Sequence, residues 1–84
     1  MFDEKLYSIG KVAELCGISV QTLRYYDNIE LLTPAYINPD TGYRYYSYIQ
    51  LSMIDRIRYL VSIGLSLKEI KSAYDAGNGK ALVP

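Results

Sequence analysis

Histidine and tryptophan are absent from this chain, phenylalanine occurs once, and the only cysteine is Cys16. Without histidine there is no imidazole for a metal site or for acid–base catalysis near neutral pH. A single cysteine excludes an internal disulfide. Its place on an apolar helix face reads as packing rather than catalysis or metal binding. An excess of charge is also missing, because nine Lys and Arg balance nine Asp and Glu. The nine carboxylates are scattered, with no pair spaced for a shared site. At 84 residues the chain makes one domain, whose core is too small to enclose a deep substrate cavity as well. These absences argue against an enzyme: no catalytic residue, cofactor or metal ligand is expected. No apolar run reaches the ~20 residues of a membrane span. The opening MFDEKL is acidic where a signal peptide would be basic. The sequence therefore reads as cytoplasmic, with no membrane partner.

Tyrosine is plentiful, at ten residues. Two stretches, RYYD at Arg24–Asp27 and GYRYYS at Gly42–Ser47, carry the same Arg-Tyr-Tyr tripeptide. A tyrosine ring can fill a small core. A phenol beside a guanidinium also suits a phosphate backbone, through a neutral hydroxyl donor and a charged fork. Nucleic-acid binders usually carry a positive excess. In a neutral chain any such binding has to rest on local placement.

Along the chain, Ser8 is placed to cap a helix on which Ile9, Val12, Ala13 and Cys16 share one face. Gly17 stops that helix, Ile18 bridges, and Ser19 caps a second helix running through Leu23 and Tyr26 towards Asn28. SIGKVAELCGISVQTLRYYDN thus reads as helix, glycine turn, helix, the pattern of a helix-turn-helix. A plain helical hairpin is the alternative. PAYINPDTGYRYYS then reads as a β-hairpin, with Pro39 presetting the turn, Asp40 bonding local backbone and Gly42 at positive φ. Alternation places Tyr43 and Tyr45 on one face and Arg44 and Tyr46 on the other, without saying which is buried.

Ser47 and Gln50 match a capping box that opens a longer helix with apolar positions Ile49, Met53, Ile54, Ile57, Leu60 and Val61. Gly64 ends it, and Ser66 with Glu69 opens a fourth helix along Leu67, Ile70 and Tyr74. CGISVQTLR and IGLSLKEIK share the order apolar-Gly-apolar-Ser, so two helix pairs with similar corners flank the hairpin. The tail AGNGKALVP loses this order. Residues 1–75 are expected to form the domain, with 76–84 a linker or the start of a dimerisation helix.

Together YSIGKVAELCGISVQTLRYYDNIELL, GYRYYS and IGLSLKEIK, in this order and spacing, resemble the N-terminal DNA-binding domain of MerR-family transcription regulators. The resemblance covers about Leu6 to Tyr74. PAYINPDTGYRYY looks more like the multidrug-sensing than the metal-sensing branch. It implies a mainly α, winged helix-turn-helix fold of four helices and one β-hairpin wing, with the last helix pair as a second wing. It also implies that Ser19, Val20, Gln21 and Arg24 face the major groove, with Arg24, Tyr25 and Tyr26 near the DNA backbone. Tyr43 and Arg44 would sit against phosphates or the adjacent minor groove, and Arg56, Arg58, Lys68 and Lys71 would serve the second wing. Of the first tyrosine pair, Tyr26 is expected to pack and Tyr25 to face outward.

The implied partner is double-stranded promoter DNA, bound at an inverted repeat by a homodimer of the full-length protein. RNA polymerase is engaged indirectly, when the bound dimer distorts an overlong promoter spacer. The resemblance implies an effector whose site lies outside this chain, so that the chain corresponds to part of a longer regulator. Two other readings stay open. One is an excisionase-like architectural DNA-binding protein, and the other a winged-helix module that binds protein.

Overall fold

The computed structural model describes residues 5–77. The elements are β1 (Leu6–Ser8), α1 (Ile9–Cys16), α2 (Val20–Asn28), β2 (Tyr36–Ile37), β3 (Arg44–Ser47), α3 (Tyr48–Ser62) and α4 (Leu67–Gly77). The four helices and the hairpin stand in the expected order. A three-stranded antiparallel sheet, ordered β1-β3-β2, replaces the two-stranded hairpin expected from sequence. The added strand is three residues long, too short for an alternating pattern to show, and its partner lies some forty positions away, with Tyr7 opposite Tyr46.

Serines start the helices as their positions predict. Ser8 Oγ accepts from the Lys11 N–H at 3.2 Å, and Ser19 Oγ from the Thr22 N–H at 3.0 Å. At α4, Ser66 Oγ accepts from the Glu69 N–H while the Glu69 carboxylate accepts from the Ser66 N–H; that backbone donor, with the Ser66 side chain, pulls the Glu69 carboxyl below its ordinary pKa. Gln50 does more than cap. Its Oε1 accepts from the N–H groups of Ser47 and Ala35, and its Nε2 donates to the Thr33 carbonyl, tying the loop before β2 to α3.

The two similar corners have the same geometry. Gly17 has φ 65° and Gly64 φ 108°, and the next residue's N–H reaches back five positions, Ile18 to Ala13 and Leu65 to Leu60, both at 3.1 Å. A third corner of this type ends α2, where Leu31 donates to the Tyr26 carbonyl and Glu30 takes φ 60°. No glycine marks it in the sequence.

Val12, Leu23, Tyr46, Ile54, Ile57 and Ile70 are fully buried, and Cys16, Tyr26, Leu31 and Leu32 complete the core. Burial of each aliphatic chain contributes ~1.5–3 kcal/mol. All four helices and the central strand therefore close on one cluster. Ile49 and Val61, expected on the buried stripe of α3, are exposed instead. Ile49 lies about 140° round the helix from Ile54 at ~100° per residue, and Val61 sits in the last turn beside an open cleft. The helix has more apolar positions than its single contact face can cover. At its far end α4 includes Ala76 and Gly77; of the linker or dimerisation helix expected over 76–84, residues 78–84 lie outside the described residues.

Tyr46 is the one buried side chain among the described residues whose polar atom, Oη, lacks a hydrogen-bond partner. Burial pushes the Tyr46 phenol above its ordinary value, with Asp27 adding to the rise and Arg44 opposing it. Burial does the same to Tyr26. The folded state holds these protons more tightly than the unfolded chain. Stability is therefore complete below the ordinary phenol pKa of about 10 and falls as pH climbs towards the raised values. Tyr46→Phe should leave the neutral-pH melt unchanged or raise stability by up to about 1 kcal/mol, and should flatten the alkaline decline; melts at neutral and strongly alkaline pH test both. Gly17→Val should lower stability by roughly 1–3 kcal/mol in a thermal melt. A Cβ there would meet only Arg58 Nη1 at an ordinary 3.6 Å, so the cost comes from φ and not from crowding.

Candidate nucleic-acid interface

The amphipathic pattern of α2 decides which side chains can meet a ligand. Leu23 and Tyr26 turn into the core, which leaves Gln21, Arg24 and Tyr25 on the outer surface beside the exposed Ser19 and half-buried Val20. Two of the clefts beside α2 flank Arg24 and Tyr25. The first, about 230 Å³, is lined by Arg24 of α2, Ser8 and Ile9 at the start of α1, and Gly42, Tyr43 and Arg44 of the hairpin. The second, about 270 Å³, is lined by Tyr25 of α2, by Ile29 just past its end, and by Leu67, Lys68 and Lys71 of α4. Residues far apart in sequence are thus gathered along the two sides of one helix.

The hairpin tip is built by Asn38. Its Oδ1 accepts from the N–H groups of Asp40 (2.8 Å) and Thr41 (3.3 Å), and its carbonyl accepts from Gly42 at 2.7 Å. The local bonding expected of the Asp40 side chain falls instead to Asn38, two residues earlier, the usual geometry of an Asx turn. Gly42 has φ 75°, as the turn requires, and the next residue, Tyr43, is 65% exposed. On β3, Arg44 and Tyr46 share the inward face. Tyr45 points the other way and packs on Tyr36, ring centroids 6.0 Å apart. The inward direction brings Arg44 to α2, where its Nε donates to Asp27 Oδ2 at 2.9 Å.

The chain from residue 7 to 76 matches the model of the MerR HTH family of regulatory proteins. It belongs to that family. The Multidrug-efflux transporter 1 regulator of Bacillus subtilis (strain 168) is 51% identical over 72 residues, which are 86% of this chain and 26% of that protein. The chain therefore spans about a quarter of that relative's length. Among solved structures, the cryo-EM structure of the EcmrR–DNA complex in EcmrR-RPo superposes with a TM-score of 0.80 at 40% identity, covering 86% of this chain and 27% of that one. HiNmlR, a MerR-family regulator lacking the sensor domain and bound to promoter DNA, gives a TM-score of 0.76 at 33% identity, over 87% of this chain and 55% of that one.

In this MerR-family DNA-binding domain the expected site residues divide by environment. Ser19, Val20, Gln21, Arg24 and Tyr25 lie along the accessible side of α2, and Tyr43 and Arg44 extend it through the first wing. Lys68 and Lys71 continue it on α4, although Lys71 Nζ also binds Asp75 at 3.2 Å and the Glu30 carbonyl at 3.3 Å. Tyr26, expected near the DNA backbone as well as in the core, is only 4% exposed; its position three residues after Leu23 turns it inward. Arg58 lines a further cleft with the α2 cap Ser19 and with Thr22 and Tyr26 of that helix. Its Nη1 donates to the Cys16 carbonyl at the end of α1, satisfying an acceptor that the helix terminus leaves open. Arg56 lines a cleft with Ser52, Asp55, Tyr59 and Leu60 that no residue of α2 borders. Cys16 is buried, and desolvation with the nearby Asp55 raises its thiol pKa against the pull of Arg58, so the thiolate is disfavoured.

Asp27 and Asn38 are the residues that sequence reasoning passed over. The repeated Arg-Tyr-Tyr drew attention to the cations and rings, while the acid after the first pair looked like surface. Alternation along β3 did carry a signal, because it put Arg44 on the face of one of the two tyrosines that could be buried. The different environments of Arg58 and Arg24 are measurable by stability. Arg58→Ala should cost roughly 1–2 kcal/mol in a denaturant melt through loss of its carbonyl bond, whereas Arg24→Ala should stay within about 0.5 kcal/mol.

Proposed function

We propose that this chain binds promoter DNA as the N-terminal unit, residues 1–75, of a longer cytoplasmic transcription regulator. In this reading α2 enters the major groove with Ser19, Val20, Gln21 and Arg24 towards the bases and Tyr25 towards the backbone. Tyr43 and Arg44 of the wing meet phosphates or the adjacent minor groove, and Lys68 and Lys71 extend the contact from the second wing. The observation that carries it is the cleft in which Arg24 of α2 and Tyr43 and Arg44 of the wing face one another beside the exposed side of that helix. A groove-reading helix and a phosphate-binding wing have to act on one duplex, and this cleft gives them a common front. Relatives solved with DNA add support.

The regulator would act as a homodimer on an inverted repeat and distort an overlong spacer so that RNA polymerase engages both promoter elements. Its effector would bind outside this chain. The role is non-enzymatic. Zero net charge is compatible with it, because phosphate contacts come from a few placed cations and from neutral hydroxyl and backbone donors. An architectural or protein-binding role is less well supported, since the relatives are named as regulators.

Fluorescence anisotropy with an inverted-repeat duplex selected from a randomised pool tests this reading. The chain fused to a coiled coil after Pro84 should prefer that duplex to a scrambled one. Arg24→Ala should abolish the preference without unfolding the domain. The log–log salt slope should correspond to only ~4–6 neutralised phosphates per dimer. Equal, negligible binding of both duplexes would favour the protein-interaction reading.

A further inference from the structure

We propose that Asp27 is a positioning residue for DNA binding: its carboxylate holds Arg44 by Nε and thereby aims the two Nη nitrogens into the cleft shared with Arg24 and Tyr43. This inference rests on the DNA-binding reading above and assigns a role to an acid that the reading does not use.

The placement of Asp27 is electrostatically unfavourable by itself. It lies in the last turn of α2, where the helix dipole presents its negative end, and beside a surface that would face phosphates. A carboxylate there lowers the attraction for DNA, a cost that a positioning task would offset. The partner it has is specific. Lys11–Glu14 and Lys71–Asp75 each join residues of one helix, but Asp27–Arg44 joins the groove-reading helix to the wing. It is also more sheltered, with side chains 18% and 29% exposed, against 71% for Glu14 and 67% for Asp75.

The atom used defines the geometry. A guanidinium has five N–H donors in one plane. With Nε donating to Asp27 Oδ2, the edge formed by the two Nη nitrogens is left for a second acceptor, and that edge matches a phosphate in bidentate fashion. Arg44 otherwise stands on the inward face of β3 with buried Tyr46, so an anchor on α2 determines where its head emerges. Lysine could not replace it, because a single ammonium at the end of a flexible stem offers no second edge.

The test turns on a sign. Asp27→Asn raises the net charge by one, and simple electrostatics then demands tighter DNA binding with a steeper salt slope. Positioning demands the reverse. With the duplex selected by the wild-type coiled-coil fusion, Asp27→Asn in the same fusion should bind roughly tenfold more weakly and lose about one from the magnitude of the salt slope, the signature of a lost phosphate contact. Arg44→Lys leaves Asp27 in place and conserves charge, and it should be similarly weakened. Asp27→Asn combined with Arg44→Ala should be no weaker than Arg44→Ala alone, since the two act through one contact. Circular dichroism at the assay temperature establishes that each variant is folded, and Arg44→Lys keeps the test decisive should Asp27→Asn unfold. Wild-type chain that selects no duplex even when fused to the coiled coil overturns the DNA-binding reading and this inference with it. Wild-type binding accompanied by equal or tighter binding of a folded Asp27→Asn, or by undiminished binding of Arg44→Lys, overturns this inference alone.

Discussion

Burial of Tyr46 on the central strand is the constraint on which the arrangement depends. A fully buried side chain on β3 settles which face of the strand meets the helices, and the period of two then settles its neighbours. Arg44 must point towards α2, Tyr45 must point away, and the hairpin must leave the domain at the angle that puts Tyr43 beside Arg24. The Tyr46 hydroxyl gains no hydrogen bond for this. Its ring fills volume instead, as the largest of the fully buried side chains.

The neutral charge of the chain becomes intelligible once the charges are placed. Several cations are engaged within the fold: Arg58 on the end of α1, Lys71 on Asp75 and the Glu30 carbonyl, Arg44 on Asp27, and Lys11 on Glu14. Exposed pairs such as Lys11–Glu14 contribute little to stability, ~0–1 kcal/mol. Their carboxylates still balance the total, so net charge says little about the side of the molecule where Arg24, Tyr25 and Lys68 stand. The ten tyrosines divide in the same local way. Tyr26 and Tyr46 are packed, whereas Tyr25 and Tyr43 offer hydroxyls at the surface.

The parts of the fold legible in advance were those governed by interactions within four or five residues. The serine caps of α1, α2 and α4, the glycine corners at 17 and 64 and the positive φ at Gly42 all stand where short-range rules put them. Three features escaped such rules for physical reasons. The strand Leu6–Ser8 forms only by pairing with a partner some forty residues distant, and Glu30 takes a left-handed conformation where Leu31 and Leu32 enter the core. The apolar residues of α3 exceed the width of its buried contact, so periodicity alone could not separate Ile54 and Ile57 from Ile49.

For the candidate site, the sequence by itself determined the inventory: two Arg-Tyr-Tyr segments, a helix-turn-helix, a hairpin and a second helix pair, each specified by local sterics and hydrogen bonding. Only the tertiary structure decided the roles. Whether an arginine is available to a ligand depends on which carbonyl or carboxylate the fold brings within 3 Å of it, and those partners lie 17 residues away for Arg44 and 42 for Arg58. Such distances are closed by the core, because burying Tyr46, Ile54 and Ile57 together fixes how β3 and α3 stand against the first two helices.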